Sequence, residues 1–233
     1  MSDTSSEYKG LNQHSPLQVR GSAMDALLAA FASGGLPKSL HALVGSHLEL
    51  NPDSRVYVHA LETALASSVD EVEPVSVKNR LARLDQIFSA EPVKSRLSDD
   101  HLSDAAPSDE PRALRHFLGR SIESLEFRTV LPGVKECHIE TDDGTTAILY
   151  RIRGGKKMPQ HTHEGSEVTL VIRGAFRDET GYYGRGAVAI TDEHVDHTPV
   201  AVEGEECLCF AVMDAPLRLT GPIGRYLNRF IRH

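Results

Sequence analysis

The apolar positions of this 233-residue chain change their spacing partway along. Between Met24 and Phe88 they recur at intervals of three and four, the mark of amphipathic helices. Leu27, Leu28 and Phe31, followed by Gly34 and Gly35, predict a short helix with a glycine stop. Pro37 suits the first turn of a second helix, on which Leu40, Leu43, Val44, His47 and Leu48 share one face. Asn51-Pro52-Asp53 breaks that helix and opens a third, striped by Val58, Leu61 and Leu65. Val77, Leu81, Leu84 and Phe88 stripe a fourth. Helices this short bury little alone, so they form a small bundle or lie against a partner. From about Arg112 the period becomes two: Phe127, Thr129, Leu131, then Ala147, Leu149, Arg151, then Val168, Leu170, Ile172. Turn signals at Pro132-Gly133, Asp143-Gly144, Gly154-Gly155, Gly174 and Gly204 cut this half into short strands. Such a pattern argues a sandwich or barrel. The expected class is α + β, a small helical domain followed by a β-barrel.

Two further segments separate themselves by composition. Residues 1–22 are polar and without periodicity, so a flexible N-terminus is expected ahead of a helical domain at 23–89. Residues 90–111, rich in Pro, Ser and Asp, read as an acidic linker to the barrel domain at 112–233. Of the net charge of −8, five units fall between residues 67 and 111. The acidic balance disfavours direct nucleic-acid binding, which needs a basic footprint. No apolar run reaches the roughly 20 residues that span a bilayer, and the start lacks a secretory signal. Three cysteines are too few for a disulfide scaffold, which fits a reducing cytoplasm.

The sharpest chemistry lies at His161-Thr162-His163-Glu164-Gly165-Ser166-Glu167, with His197 further on. If the stretch is extended, His161, His163 and Glu167 share parity and project to one side of a sheet. Two imidazoles and a carboxylate on one face, joined by a third imidazole, make a ligand set for a divalent transition metal. Without a cation, a buried carboxylate there would carry a desolvation penalty. His194 lies outside this spacing and reads as an exposed turn residue. Cys207 and Cys209 occupy one face of one strand, where Cα atoms two apart are about 6.6–6.8 Å from each other, the upper limit for a disulfide. They read either as buried core thiols or as an oxidant-responsive pair beside the metal. Cys137 reads as packing.

Gly155, His161, His163, Glu167 and Gly174 meet every step of the first cupin motif, G-x5-H-x-H-x3–4-E-x6-G, which this chain therefore resembles. The second motif keeps Gly186 and His197, but Asp192, His194 and Ala201 replace its proline, glycine and asparagine. The resemblance implies a cupin, a double-stranded β-helix or jelly-roll barrel, with His161, His163, Glu167 and His197 as metal ligands. Over a longer span, MDALLAAFASGGL, SHLEL, the acidic linker, GAFRDET, DHTPV and DAPLR together resemble the ChrR family of anti-sigma factors. What that implies is a helical domain that binds an extracytoplasmic-function sigma factor and blocks its access to RNA polymerase. It also implies a zinc-binding cupin that senses singlet oxygen or organic peroxide. The same ligand set suits iron, manganese or nickel.

One departure stands out. The family's helical domain binds a second zinc through an early histidine and an H-x3-C-x2-C run. Here His47 keeps the histidine, while Asn51 and Ser54 stand at the cysteine positions and Ser22 at the early one. An amide and a hydroxyl do not replace thiolates, so this site is expected to be degenerate, without zinc, and His47 to be an ordinary packed histidine. Two alternatives to the anti-sigma reading are a metal-dependent, dioxygenase-like cupin enzyme and a non-catalytic binding module. A homodimer through the cupin, helped by Tyr226, Leu227, Phe230 and Ile231, is also open.

Overall fold

The computed structural model describes residues 16–69, 72–90 and 109–221, with side chains from residue 23. Most of the linker, part of the acidic connector after Val69 and the Tyr226–Ile231 run lie outside the described residues. Four helices come first: α1 (Pro16–Ala32), α2 (Lys38–Leu50), α3 (Pro52–Val69) and α4 (Arg80–Ser89). Helix α1 starts at Pro16, well before the expected onset at Met24, because proline is suited to a first turn and nothing up to Ala32 breaks the helix.

A fifth helix, α5 (Arg112–Leu118), stands where strands were expected to begin. Leu114, Phe117 and Leu118 have helical spacing and pack into the core beside α2. The Glu49 carboxylate at the end of α2 caps α5 by accepting the Arg112 and Ala113 amides at 2.9 and 2.8 Å. Capping of this kind satisfies amides that have no partner within their own helix. The signals were present in Pro111 before the run and Gly119 after it, but seven residues are too few for periodicity to declare itself.

Eleven antiparallel strands follow among the described residues. β1 (Arg128–Leu131), β2 (Val134–Ile139), β3 (Thr146–Ile152), β10 (Cys207–Met213), β5 (Glu167–Arg173) and β8 (Val188–Thr191) lie side by side in one sheet. β7 (Gly181–Gly184), β6 (Ala175–Asp178) and β9 (Val200–Ala201) form a second sheet; β11 (Leu217–Leu219) and β4 (His161–His163) form a third. The two small sheets close over the large one to make the cupin barrel.

Strand β10 shows why the large sheet is apolar on both sides. All seven of its residues are buried, and they divide by parity. Cys207, Cys209, Ala211 and Met213 face the barrel interior with Phe176, Tyr183 and Ala201 of the second sheet. Leu208, Phe210 and Val212 face outward and join Leu43, Val44 and Leu48 of α2 in a separate cluster. β5 divides the same way, with Val168, Leu170 and Ile172 outward. The helices thus rest on the outer face of the cupin sheet and share one core with it.

Helix α2 is held at both ends. At its start, Lys38 Nζ lies 2.7 Å from Asp142, and the Ser39 amide donates to Asp143 Oδ2 at 2.8 Å. Burial opposes ionisation of Asp143, but hydrogen bonds from Thr145 and Ser39 outweigh it and hold the carboxyl at about 2. At its end, α2 lies against Gly186 in the β7–β8 turn. Gly186 has φ +82, and a Cβ there would come within 3.0 Å of the Leu50 Cβ. Only glycine lets helix and turn approach so closely.

The outer helices are another matter. Val58 is the one buried residue of α3, and α4 has none. Val56, Leu65, Leu81, Ile87 and Phe88 stand exposed, Phe88 at 82%. Of the stripe expected on α3, Val58 is covered and Leu65 is not; of that expected on the fourth helix, Val77 lies before α4, while Leu81 and Phe88 are uncovered.

Candidate metal centre

His161 and His163 come from β4, Glu167 from the first position of β5, and His197 from the segment before β9. The expected single extended stretch is interrupted by a turn at residues 164–166, so the ligands converge from two strands. Gly165 makes that turn possible: a Cβ there would lie 2.1 Å from Asp214 Oδ1, the atom that accepts the Ser166 amide. His197 is placed by backbone pairing. Its amide and carbonyl bond those of His161, each at 3.0 Å, which sets the two rings 4.5 Å apart between centroids. Atoms of His161, His163, Glu167 and His197 that could ligate one ion all lie within 4.8 Å of one another.

The hydrogen bonds behind the rings decide what the front can do. His161 Nδ1 is 2.7 Å from the Pro159 carbonyl, and His197 Nδ1 is 2.8 Å from the buried Asp178 carboxylate. Both partners are acceptors, so each Nδ1 carries a hydrogen and each ring turns its Nε2 to the interior. Those two Nε2 atoms lie 3.1 Å apart. His163 is fully buried, and among the described residues neither of its nitrogens has a hydrogen bond; Nε2 lies 2.7 Å from Glu167 Oε2 without the alignment of one. Four groups turned on one point, with unsatisfied donor atoms, fit a cation. Burial, then the neighbouring His197, pulls His161 down to about 4. Burial opposes ionisation of Glu167, but His163, the Thr169 hydroxyl and His161 outweigh it and hold the carboxyl at about 2. Three imidazoles and a carboxylate therefore converge on one point. Asp178 was not singled out in the sequence, because an acid inside GAFRDET carries no metal-ligand spacing.

His194 is exposed, as expected. Cys207 and Cys209 are buried in the barrel with sulfurs 3.4 Å apart, and contact with Cys207, with burial, pushes the Cys209 thiol well up. Cys137 is half-buried at the edge of the helix-side core.

The degenerate site in the helices has its own order. His47 Nδ1 bonds the Gly186 carbonyl at 2.7 Å, and its Nε2 meets the Ser54 hydroxyl at 2.8 Å. Asn51 Oδ1 accepts the Ser54 amide at 3.0 Å. Asn51 and Ser54, which stand at the two cysteine positions, are engaged in neutral hydrogen bonds, and His47 ties α2 and α3 to the cupin turn.

Residues 118–215 match the ChrR cupin-like domain. The anti-sigma-E factor ChrR of Cereibacter sphaeroides is 35% identical over 221 residues, covering 93% of this chain and all of that protein. The crystal structure of Rhodobacter sphaeroides SigE in complex with the anti-sigma ChrR superposes with a TM-score of 0.67 at 34% identity, covering 82% of this chain and 96% of that one. The relatives are regulators, which sets aside the dioxygenase-like alternative. With this coverage and the His/Glu centre in its barrel, the chain belongs to the ChrR family of anti-sigma factors.

Proposed function

We propose that this chain binds an extracytoplasmic-function sigma factor through its helical segment, residues 23–89, and senses a chemical stress through a metal in its cupin, residues 112–233. The observation that carries the first half is the uncovered apolar surface of α3 and α4. A helix such as α4, with Leu81, Ile87 and Phe88 exposed and no buried residue of its own, is stable when a partner covers its apolar face. A relative's structure is that of a complex with a sigma factor, which supports the same class of partner here.

For the second half, His161, His163, Glu167 and His197 would hold one divalent ion, with zinc the first candidate. When bound, such an ion supplies a Lewis-acidic centre to which a small molecule can be drawn. The residues of this chain do the positioning: Pro159 and Asp178 fix the faces of His161 and His197, and the barrel excludes bulk water. Singlet oxygen or a peroxide is the proposed signal. Cys207 and Cys209 are thiols such an oxidant would meet; a hydroperoxide taking two electrons and two protons from them leaves a disulfide, an alcohol and water. The compartment is the cytoplasm, and no described helix is long and apolar enough to cross a membrane.

The experiment is co-purification with the sigma factors of the host cell, before and after oxidant. The expected result is a complex under reducing conditions that the double variant Leu81→Glu, Phe88→Glu abolishes without altering the cupin's metal content. A chain that captures no sigma factor when reduced would refute this reading. Elemental analysis is expected to give one equivalent of metal per chain; a second equivalent of zinc would mean that the helices bind metal after all.

A further inference from the structure

Helix α3 carries Val56, Tyr57 and Leu65 in the open and does little to fix its own position. Val58, its one buried residue, enters the core that α2 shares with β10. Two of its polar side chains reach back to where α2 ends. The Arg55 guanidinium donates to the Leu48 carbonyl from Nε at 2.9 Å and from Nη2 at 2.8 Å. Nη2 also reaches the Glu49 carbonyl at 3.2 Å. Carbonyls in the last turn of a helix have no partner within it, so Arg55 satisfies what α2 leaves over. One residue earlier, the Ser54 hydroxyl meets His47 Nε2. Helix α3 therefore hangs from the last turn of α2.

That turn of α2 is seated in the cupin. His47 Nδ1 bonds the Gly186 carbonyl, and Leu50 lies against the same glycine, which is buried. The barrel holds Gly186 in place: its amide donates to the Val171 carbonyl of β5 at 2.8 Å, and the Val171 amide donates to the Ala187 carbonyl at 3.0 Å. Helix α1, which packs on α3, also rests on β8, the strand that follows the turn. A run of short contacts thus leads from the barrel wall through Gly186, His47 and Ser54 to the start of an exposed helix. Adjacency alone does not make a coupling. This one has a physical basis, because a helix that buries one side chain depends on its attachments for its placement.

We infer that the cupin, through its β7–β8 turn, sets the position of α3 for partner binding, with Gly186 and His47 as positioning residues. The inference rests on the reading of the helices as the sigma-binding part and adds a requirement on the barrel. A turn buried beneath α2, out of a partner's reach, governs how well the partner is held. An arm joined to the barrel only by its linker would bind equally well whatever that turn did.

The test uses the full chain, the sigma factor it captures from its host, and two matched glycine variants. Gly186→Ala places a Cβ 3.0 Å from the Leu50 Cβ at φ +82. Gly204→Ala, in the β9–β10 turn, imposes a like backbone strain at φ +108, but its Cβ meets nothing within 4 Å. Gly186→Ala is expected to bind the sigma factor about tenfold more weakly, as it would with α3 seated about one-tenth of the time. In the free chain its α3 amides should exchange faster with solvent, with the cupin's metal content unchanged. Gly204→Ala should bind as the unaltered chain does. Ser54→Ala, which removes one hydroxyl from a half-buried position, should weaken binding about threefold and decides the matter should Gly186→Ala fail to fold. Unchanged affinity in Gly186→Ala, or in Ser54→Ala where that variant decides, would overturn the inference. So would an equal loss in Gly204→Ala, which would make the effect one of general barrel stability. An unaltered chain that captures no sigma factor sinks the sigma reading, and this inference with it; capture indifferent to the turn sinks this inference alone.

Discussion

Replacing His47 with alanine should loosen the helices from the cupin and cost about 3 kcal/mol of stability. The imidazole joins three elements: it sits on α2, donates to the Gly186 carbonyl of the β7–β8 turn and accepts from Ser54 on α3. Each such bond contributes about 0.5–1.5 kcal/mol net, and a buried carbonyl left without a donor costs about 1–3 kcal/mol. The ring is only 4% exposed, so its removal also leaves a void that the surroundings fill incompletely. The sum is a sizeable part of the roughly 5–15 kcal/mol that holds an ordinary domain folded. Urea unfolding at pH 8, followed by far-ultraviolet circular dichroism, should show a lower midpoint with an unchanged slope. His194→Ala, at an exposed turn, is the control and should move stability by less than about 0.5 kcal/mol. The deficit should also shrink in acid. Burial holds His47 below its ordinary 6.5 despite the bond to Gly186, so its stabilising contribution is present above pH 6.5 and declines as pH falls. A loss of less than about 1 kcal/mol at pH 8 would refute the role assigned to this ring.

Asp178→Asn should lower metal affinity by about 10–100-fold, measured by competition with a chelator, because an amide orients His197 less firmly than the carboxylate. Phe210→Ala should cost about 3–5 kcal/mol in chemical unfolding, since this fully buried ring fills the junction between β10 and the helices. The metal-free barrel should weaken as pH falls from 6.5 toward 4, because an unfolded imidazole takes up a proton that His161, held at about 4, resists. Metal should protect against this loss until acid displaces it, which melting curves across that range would reveal.

Much of this was legible in spacing alone. The cupin motif named four side chains that the structure brings to one point, and the helical stripes at Leu43, Val44 and Leu48 found their core. What the pattern could not say is which partner each stripe meets. Leu43 and Leu81 sit on stripes of the same kind, yet one is buried against β10 and the other is exposed, and only tertiary contact distinguishes them. Helix α5 was missed because its stripe is too short to compete with the alternation that follows. Asp178 was missed for a different reason: it acts through the His197 ring it faces across the barrel, and no spacing along the chain records that.

The two-sidedness of β10 has a consequence for taking the protein apart. Leu208, Phe210 and Val212 are covered in part by α2, which precedes β10 in sequence by well over a hundred residues. A cupin fragment beginning at Arg112 would present that row to water along with Val168, Leu170 and Ile172, with only α5 left to shield it. Such a plane invites a second copy of itself, so the isolated barrel should pair or precipitate. Oligomers seen with a fragment would then report the missing helices and not the habit of the whole chain.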